Sequence, residues 1–171
     1  MKHTLFYLPS YFVFQSTLYL LREIIVGYGF KISSSIYCYF KTGKPWNITI
    51  SQLLTYPANS LGYHLGCFLL RESFELQPSC ESHDIFHVIT GYPTDTASEI
   101  SMQYWLYGNG KRSPCTLLAM AIGLVLFMDQ WSQFKASFKR GQVYSPITHL
   151  DYRHHLNLPL LSIKFLKQNN L

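Results

Sequence analysis

Strand-type alternation of apolar and polar positions is scarce along the chain, and Gly and Pro cut the apolar stretches into helix-length pieces. The first piece runs from about Phe6 to Tyr28 and ends near Gly29. A short piece over Ser33 to Phe40 stops at Thr42-Gly43, and Ile48 to Thr55 follows Pro45. Ser60 stands where its hydroxyl can satisfy a free backbone N–H of a helix over Leu61 to Glu72. Glu81 to Thr90 is the next helix, stopped by Gly91-Tyr92-Pro93. Thr96 to Tyr107 resumes, and Gly108-Asn109-Gly110 ends it. Pro114 to Phe138 reads as one long helix, apolar in its first half and closed by Gly141. Pro159 to Lys167 is a last short helix, with Pro where its missing N–H costs nothing. The pattern predicts an all-α, single-domain helical bundle over residues 1–171.

Two apolar stretches raise the question of a membrane. Thr116 to Met128 is the longest apolar run; its thirteen residues fall short of the roughly twenty a span needs, so it reads as a buried helix. Leu5 to Leu21 is apolar and aromatic but is interrupted by Pro9, Ser10, Gln15 and Ser16 and followed at once by Arg22 and Glu23. It has neither the small-residue cleavage site of a signal peptide nor the Arg- and Ser-rich character of a transit peptide, and is expected to be a membrane-contacting or core helix.

Composition points the same way. Charged residues are only 13% of the chain, about half the usual share, and aromatics reach 16%. Such a chain is expected to keep apolar surface for lipid, an apolar ligand or a partner. The formal net charge of +5 comes from dispersed basic residues, the densest group being Lys135, Lys139 and Arg140. That argues against nucleic acid and fits an anionic membrane surface at least as well. The cysteines, Cys38, Cys67, Cys80 and Cys115, match no CxxC or zinc-finger spacing and are expected to be reduced thiols.

The stretch carrying chemistry is Ser82-His83-Asp84-Ile85-Phe86-His87. On a helix, His83 and His87 lie four residues and about 40° apart on one face, so both imidazoles can hold one metal ion. Asp84 sits on the flank, as a ligand or as an acceptor orienting a histidine. Glu99, twelve residues past His87, is out of reach on one continuous helix. The Gly91-Tyr92-Pro93 corner should break the helix and send a second one back, bringing Glu99 to the histidines. Competing readings are plain: an i, i+4 His pair is often only a helix face, Thr96-x-x-Glu99 matches a capping box, and Asp84 suits the positive end of its helix. The HExxH motif of zincin proteases is absent, since Asp stands where their Glu acts as base.

The run from His83 through Gly91-Tyr92-Pro93-Thr94-Asp95 to Glu99 resembles the signature of the coenzyme Q biosynthesis protein 4 family: His-Asp, two residues, His, eleven residues, Glu. All four fixed positions are met. Ile100 to Trp105 and the upstream Tyr56-Pro57-Ala58-Asn59-Ser60-Leu61-Gly62 are also similar, so the likeness covers residues 56–125, with a weaker echo at Leu158 to Leu161. The chain resembles a divergent, bacterial-type member. The resemblance implies an all-helical protein, peripheral on the cytoplasmic face of the bacterial inner membrane (the mitochondrial inner membrane in eukaryotes). It implies that His83, Asp84, His87 and Glu99 bind zinc or another divalent metal. It further implies a polyprenyl or quinone-type lipid as ligand and other biosynthetic enzymes as partners, with a homodimer as one assembly. The role implied is a scaffold of ubiquinone biosynthesis, with decarboxylation and hydroxylation at ring carbon C1 as the candidate reaction.

Leu65, Phe68, Leu69, Met120, Leu124 and Phe127 are candidate linings of a lipid tunnel, against the simpler reading as core. The alternative class is a non-catalytic, metal-stabilised interaction protein that binds lipid or partner enzymes. A di-iron lipid oxidase, suggested by His83-x-x-x-His87 and His154-His155, ranks last because it needs long membrane spans. His154 and His155 beside Arg153 read as a solvated turn or a head-group contact, and His64 as a packed or capped helix residue.

Overall fold

The computed structural model describes residues 16–17, 19–29 and 45–164. Among them every regular element is helical, as the pattern predicts. Helix α1 covers 19–29. It is followed by α2 (Ile50–Leu53), α3 (Leu61–Glu72), α4 (Glu81–Thr90), α5 (Thr96–Gly108), α6 (Pro114–Leu126), α7 (Trp131–Val143) and α8 (Leu160–Lys164). Single 3-10 turns sit at Met128–Gln130 and Tyr152–His155. Ser60 caps α3 through Tyr63 N, and the bounds of α3 and α4 are those read from the sequence. The expected helix over Ser33 to Phe40, the start of the first helix and the end of the last lie outside the described residues.

The core has two clusters, and α5 belongs to both. One packs Leu61, Leu65 and Leu69 of α3 on Ile85, Phe86 and Ile89 of α4 and on Met102, Trp105 and Leu106 of α5. The other joins Val26 of α1 to Ala97, Ile100 and Tyr104 of α5, Phe127 and Phe134. This double burial explains why α5 shows no single apolar stripe: nine of its residues are buried. Each large side chain removed from water here contributes about 1.5–3 kcal/mol. Helix α7 crosses α5 at backbone contact. A Cβ at Gly108 would collide with the Phe138 carbonyl, and one at Gly141 with the Trp105 carbonyl. Asn109, buried at the end of α5, then secures the chain beyond α7: its Nδ2 donates to Gly141 O and Ser145 O at 3.1 Å, and its Oδ1 accepts from Ile147 N at 2.9 Å.

Several expectations are corrected. The long helix over Pro114 to Phe138 is two helices bent by 102°. No Gly or Pro marks the break. It comes from Phe127, which leaves helical geometry (φ −127°, ψ 42°) to become fully buried in the second cluster. Arg22 of α1 supports the break by donating to the freed Leu126 carbonyl at 3.0 Å and to Asp129 at 2.7 Å. The run from Thr116 to Met128 is not a buried helix. Within α6 only Thr116, Ala119 and Gly123 are buried, since α6 meets α5 along one narrow stripe, while Leu117, Leu118, Leu124 and Val125 are exposed. The candidate tunnel residues are dispersed: Leu65 and Leu69 are core of the first cluster, Phe127 is core of the second, and Leu124 is exposed. Cys80 is disulfide-bonded, while Cys67 and Cys115 are free; spacing along the chain does not show which thiols meet in space. Cys38 lies outside the described residues.

Candidate metal centre

Helix α4 presents His83 and His87 one turn apart, with ring centroids 5.0 Å from each other. The helix closes at Gly91, whose φ of +74° is the left-handed conformation that costs glycine least. Gly91 N donates to His87 O at 2.8 Å. The chain turns through Tyr92 and Pro93, and Asp95 caps α5 by accepting from Ser98 N at 3.0 Å. The N-cap is therefore Asp95 and not Thr96, whose side chain and backbone N–H are engaged with Glu23 of α1. That shift by one residue takes Glu99 out of the capping box and frees its carboxylate. In the first turn of α5 it faces back toward α4. Glu99 Oε1 lies 2.8 Å from His87 Nε2, and Glu99 Oε2 lies 3.5 Å from His83 Nε2.

One donor atom from each of His83, His87 and Glu99 lies within 4.8 Å of the others. Ligand atoms of a tetrahedral zinc, with bonds near 2.0–2.2 Å, stand roughly 3.3 Å apart, so the set fits one ion after small side-chain shifts. The remaining contacts support that fit. His87 Nδ1 donates to the Tyr92 carbonyl at 2.9 Å, which directs Nε2 at the site, the outer-shell arrangement usual for a ligating histidine. Phe68 of α3 stacks on the His87 ring at 5.4 Å with 12° between planes, fixing its orientation. Asp84 is not in the group of three converging donor atoms; its carboxylate stands 4.0 Å from His83 Nδ1, the nitrogen turned away from Glu99. This is the position of an orienting partner.

The electrostatics follow from the same packing. Burial alone would raise the Glu99 carboxyl, but the His83 and His87 rings outweigh it and hold it down to about 2. Burial would lower His83, but the nearby carboxylates of Asp84 and Glu99 outweigh it and raise the ring to about 9. His87 is buried whereas the His83 side chain is 41% exposed, so the group meets solvent at His83. Three protein ligands with an open side is the pattern of zinc sites that accept an exogenous ligand.

Next to His87 lies a cavity of about 460 Å³, lined among others by His64, Cys67, Phe68 and Arg71 of α3 and by Tyr92. These α3 residues recur at helical spacing, a signal that could have marked one functional face. The Tyr92 carbonyl is a backbone group and had no such signal. His64 stands half-buried at this cavity, edge-on to Tyr63. His154 and His155, in their 3-10 turn, are not among the converging donor atoms. His154 pairs with Asp151 at 3.5 Å, and His155 Nδ1 meets the Asp151 carbonyl at 2.7 Å.

No protein-family model and no curated protein matches the chain in sequence. Among solved structures it is similar to a candidate ubiquinone biosynthesis protein of Nostoc punctiforme PCC 73102, with a TM-score of 0.58 and 16% identity over 84% of this chain and 79% of that one. At that identity the likeness shows a shared fold.

Proposed function

We propose that the chain is a ubiquinone-biosynthesis-type protein that binds a divalent metal, zinc first, at His83, His87 and Glu99, and works at a membrane surface on a polyprenyl-type lipid. The observation that carries this reading is the return of the Glu99 carboxylate to 2.8 Å and 3.5 Å from two imidazoles of another helix. The fold it shares with the Nostoc protein supports the pathway. The cavity beside His87 is of the size that receives a substituted ring or head group.

A bound zinc would supply Lewis acidity to an oxygen of the ligand's head group. The chain's own residues do the rest. Phe68 and the Tyr92 carbonyl hold His87 in one orientation, Asp84 faces the outer nitrogen of His83, and Arg71 on the cavity wall offers a guanidinium to an anionic head group. The candidate reaction is exchange of the ring C1 carboxylate for a hydroxyl with release of CO2, with service as a scaffold for the biosynthetic enzymes beside it. This exchange is a two-electron oxidation that zinc cannot supply, so it requires dioxygen activated by a redox metal in the site or by a partner enzyme. The second reading is a non-catalytic, metal-stabilised interaction protein. It is favoured by the ligands' division between α4 and α5, because an ion there would pin two helices across the Gly91-Tyr92-Pro93 corner.

Elemental analysis of the purified full chain tests the site. Stoichiometric metal in the wild type and none in His87→Ala supports it; negligible metal in both discards it. Lipid extraction and mass spectrometry then test the ligand, and recovery of no prenyl species from material made in quinone-producing cells counts against it. Metal without turnover on any prenylated ring acid favours the interaction reading.

A further inference from the structure

Helix α6 has no polar face. Its inner stripe packs on α5, and its outer side, where a helix in water carries charged residues, presents Leu117, Leu118, Leu124 and Val125, the last 72% exposed. Helix α1 adjoins the C-terminal end of α6 through Arg22, which bonds the Leu126 carbonyl and lies over the Phe127 ring at 5.0 Å. Its outer face adds Ile24 and Ile25, 56% and 66% exposed. Met128 and a half-exposed Trp131 continue the apolar edge beyond the bend. Trp131 is suited to the level of lipid head groups, and Lys135 Nζ lies 5.6 Å from its ring.

Charge decides the occupant. Between residues 111 and 143 the charged side chains are Lys111, Arg112, Lys135, Lys139, Arg140 and one acid, Asp129. Asp129 is neutralised by Arg22 at 2.7 Å. A second copy docking through this face would bring like charges together around the apolar centre. An anionic lipid surface would meet them with opposite charge. Among the described residues no single helix is long and apolar enough to cross a membrane, and the α6–α7 pair is bent by 102°. With α7 turned away from it by that bend, α6 can lie in the plane of the interface with its outer face toward lipid.

We infer that the outer faces of α1 and α6, rimmed by Arg112, Lys135 and Lys139, dock this protein on an anionic bilayer. This deepens the reading given above by naming the surface and the lipid charge, and it requires no metal. The test is sedimentation of the full chain with vesicles of phosphatidylglycerol and phosphatidylcholine, and with phosphatidylcholine alone. Binding to the anionic vesicles is expected to weaken at least about tenfold in Leu118→Glu/Val125→Glu. It should weaken several-fold in Lys135→Glu/Lys139→Glu and with added salt. All four positions are exposed, so thermal melting and metal content should not change. Three results overturn the inference: no binding by the wild type, undiminished binding by the Lys pair, or a wild-type dimer that Leu118→Glu/Val125→Glu splits. If the apolar double variant does not fold, the Lys pair decides alone. Metal content measured on the same samples separates the two readings, since loss of either property leaves the other intact.

Discussion

Metal binding at His83 must displace a proton, and the size of that competition can be worked from the site. With the ring raised to about 9 by the neighbouring carboxylates, only about one molecule in a hundred carries it neutral at about pH 7. An ion binding through Nε2 would then lose affinity by up to about 50-fold between pH 9, where about half the rings are neutral, and pH 7. The His83 side chain is 41% exposed, and solvent screening reduces the expected effect to roughly ten- to thirtyfold. Stability of the metal-free protein follows the same signs. Glu99, lowered from 4.5 to about 2, contributes stability that is present above pH 4.5 and is lost as pH falls toward 2. His83, raised from 6.5 to about 9, contributes stability that is present below pH 6.5 and is lost as pH rises toward 9. The metal-free melting temperature should therefore fall on the alkaline side, while the metal-loaded protein holds, because an ion replaces the proton between carboxylate and imidazole. Competition with a chromophoric zinc chelator across this range measures the affinity. Calorimetry in buffers of different ionisation enthalpy counts the released proton, about one near neutral pH. Affinity that is flat with pH, with no proton released at neutral pH, would refute the reasoning.

Asp84→Asn should keep the metal stoichiometry but weaken binding by about tenfold, as for an outer partner of a ligating histidine; loss of the ion altogether would make Asp84 a ligand. Gly141→Ala drives a methyl into the Trp105 carbonyl and should cost about 1–3 kcal/mol, read as a lowered denaturant midpoint. A change within about 0.5 kcal/mol would show that the α5–α7 crossing relaxes freely. Asn109→Ala removes the bonds to Gly141 O, Ser145 O and Ile147 N and leaves buried backbone groups unpaired, at about 2–4 kcal/mol. Its hydrogen-exchange signature should be early opening of the segment after α7, with α3 and α4 still protected.

Local chemistry was enough to read α3 and α4, because Ser60 and the Gly91-Tyr92-Pro93 corner carry their own start and stop signals within a turn of where they act. The corner also made the return of Glu99 legible, since a helix that must break can fold back, and a carboxylate one turn into the next helix is then close to the last turns of the first. The sequence alone could not choose between Thr96 and Asp95 as the cap of α5. That choice, settled by Glu23 reaching across from α1, decides whether Glu99 is spent on the helix end or left for the imidazoles. Nor could it place Asp84 beside His83 Nδ1 rather than among the converging donor atoms, because the direction of a flank carboxylate depends on packing around it. The bend at Phe127 is tertiary throughout: the ring leaves the helix for a pocket built by Val26 of α1, Ala97, Ile100 and Tyr104 of α5 and Phe134 of α7, and Arg22 holds the freed carbonyl. The same holds for the outer face of α6. An apolar run states that burial would be favourable, but only the arrangement of its neighbours decides which side is covered and which is left facing outward.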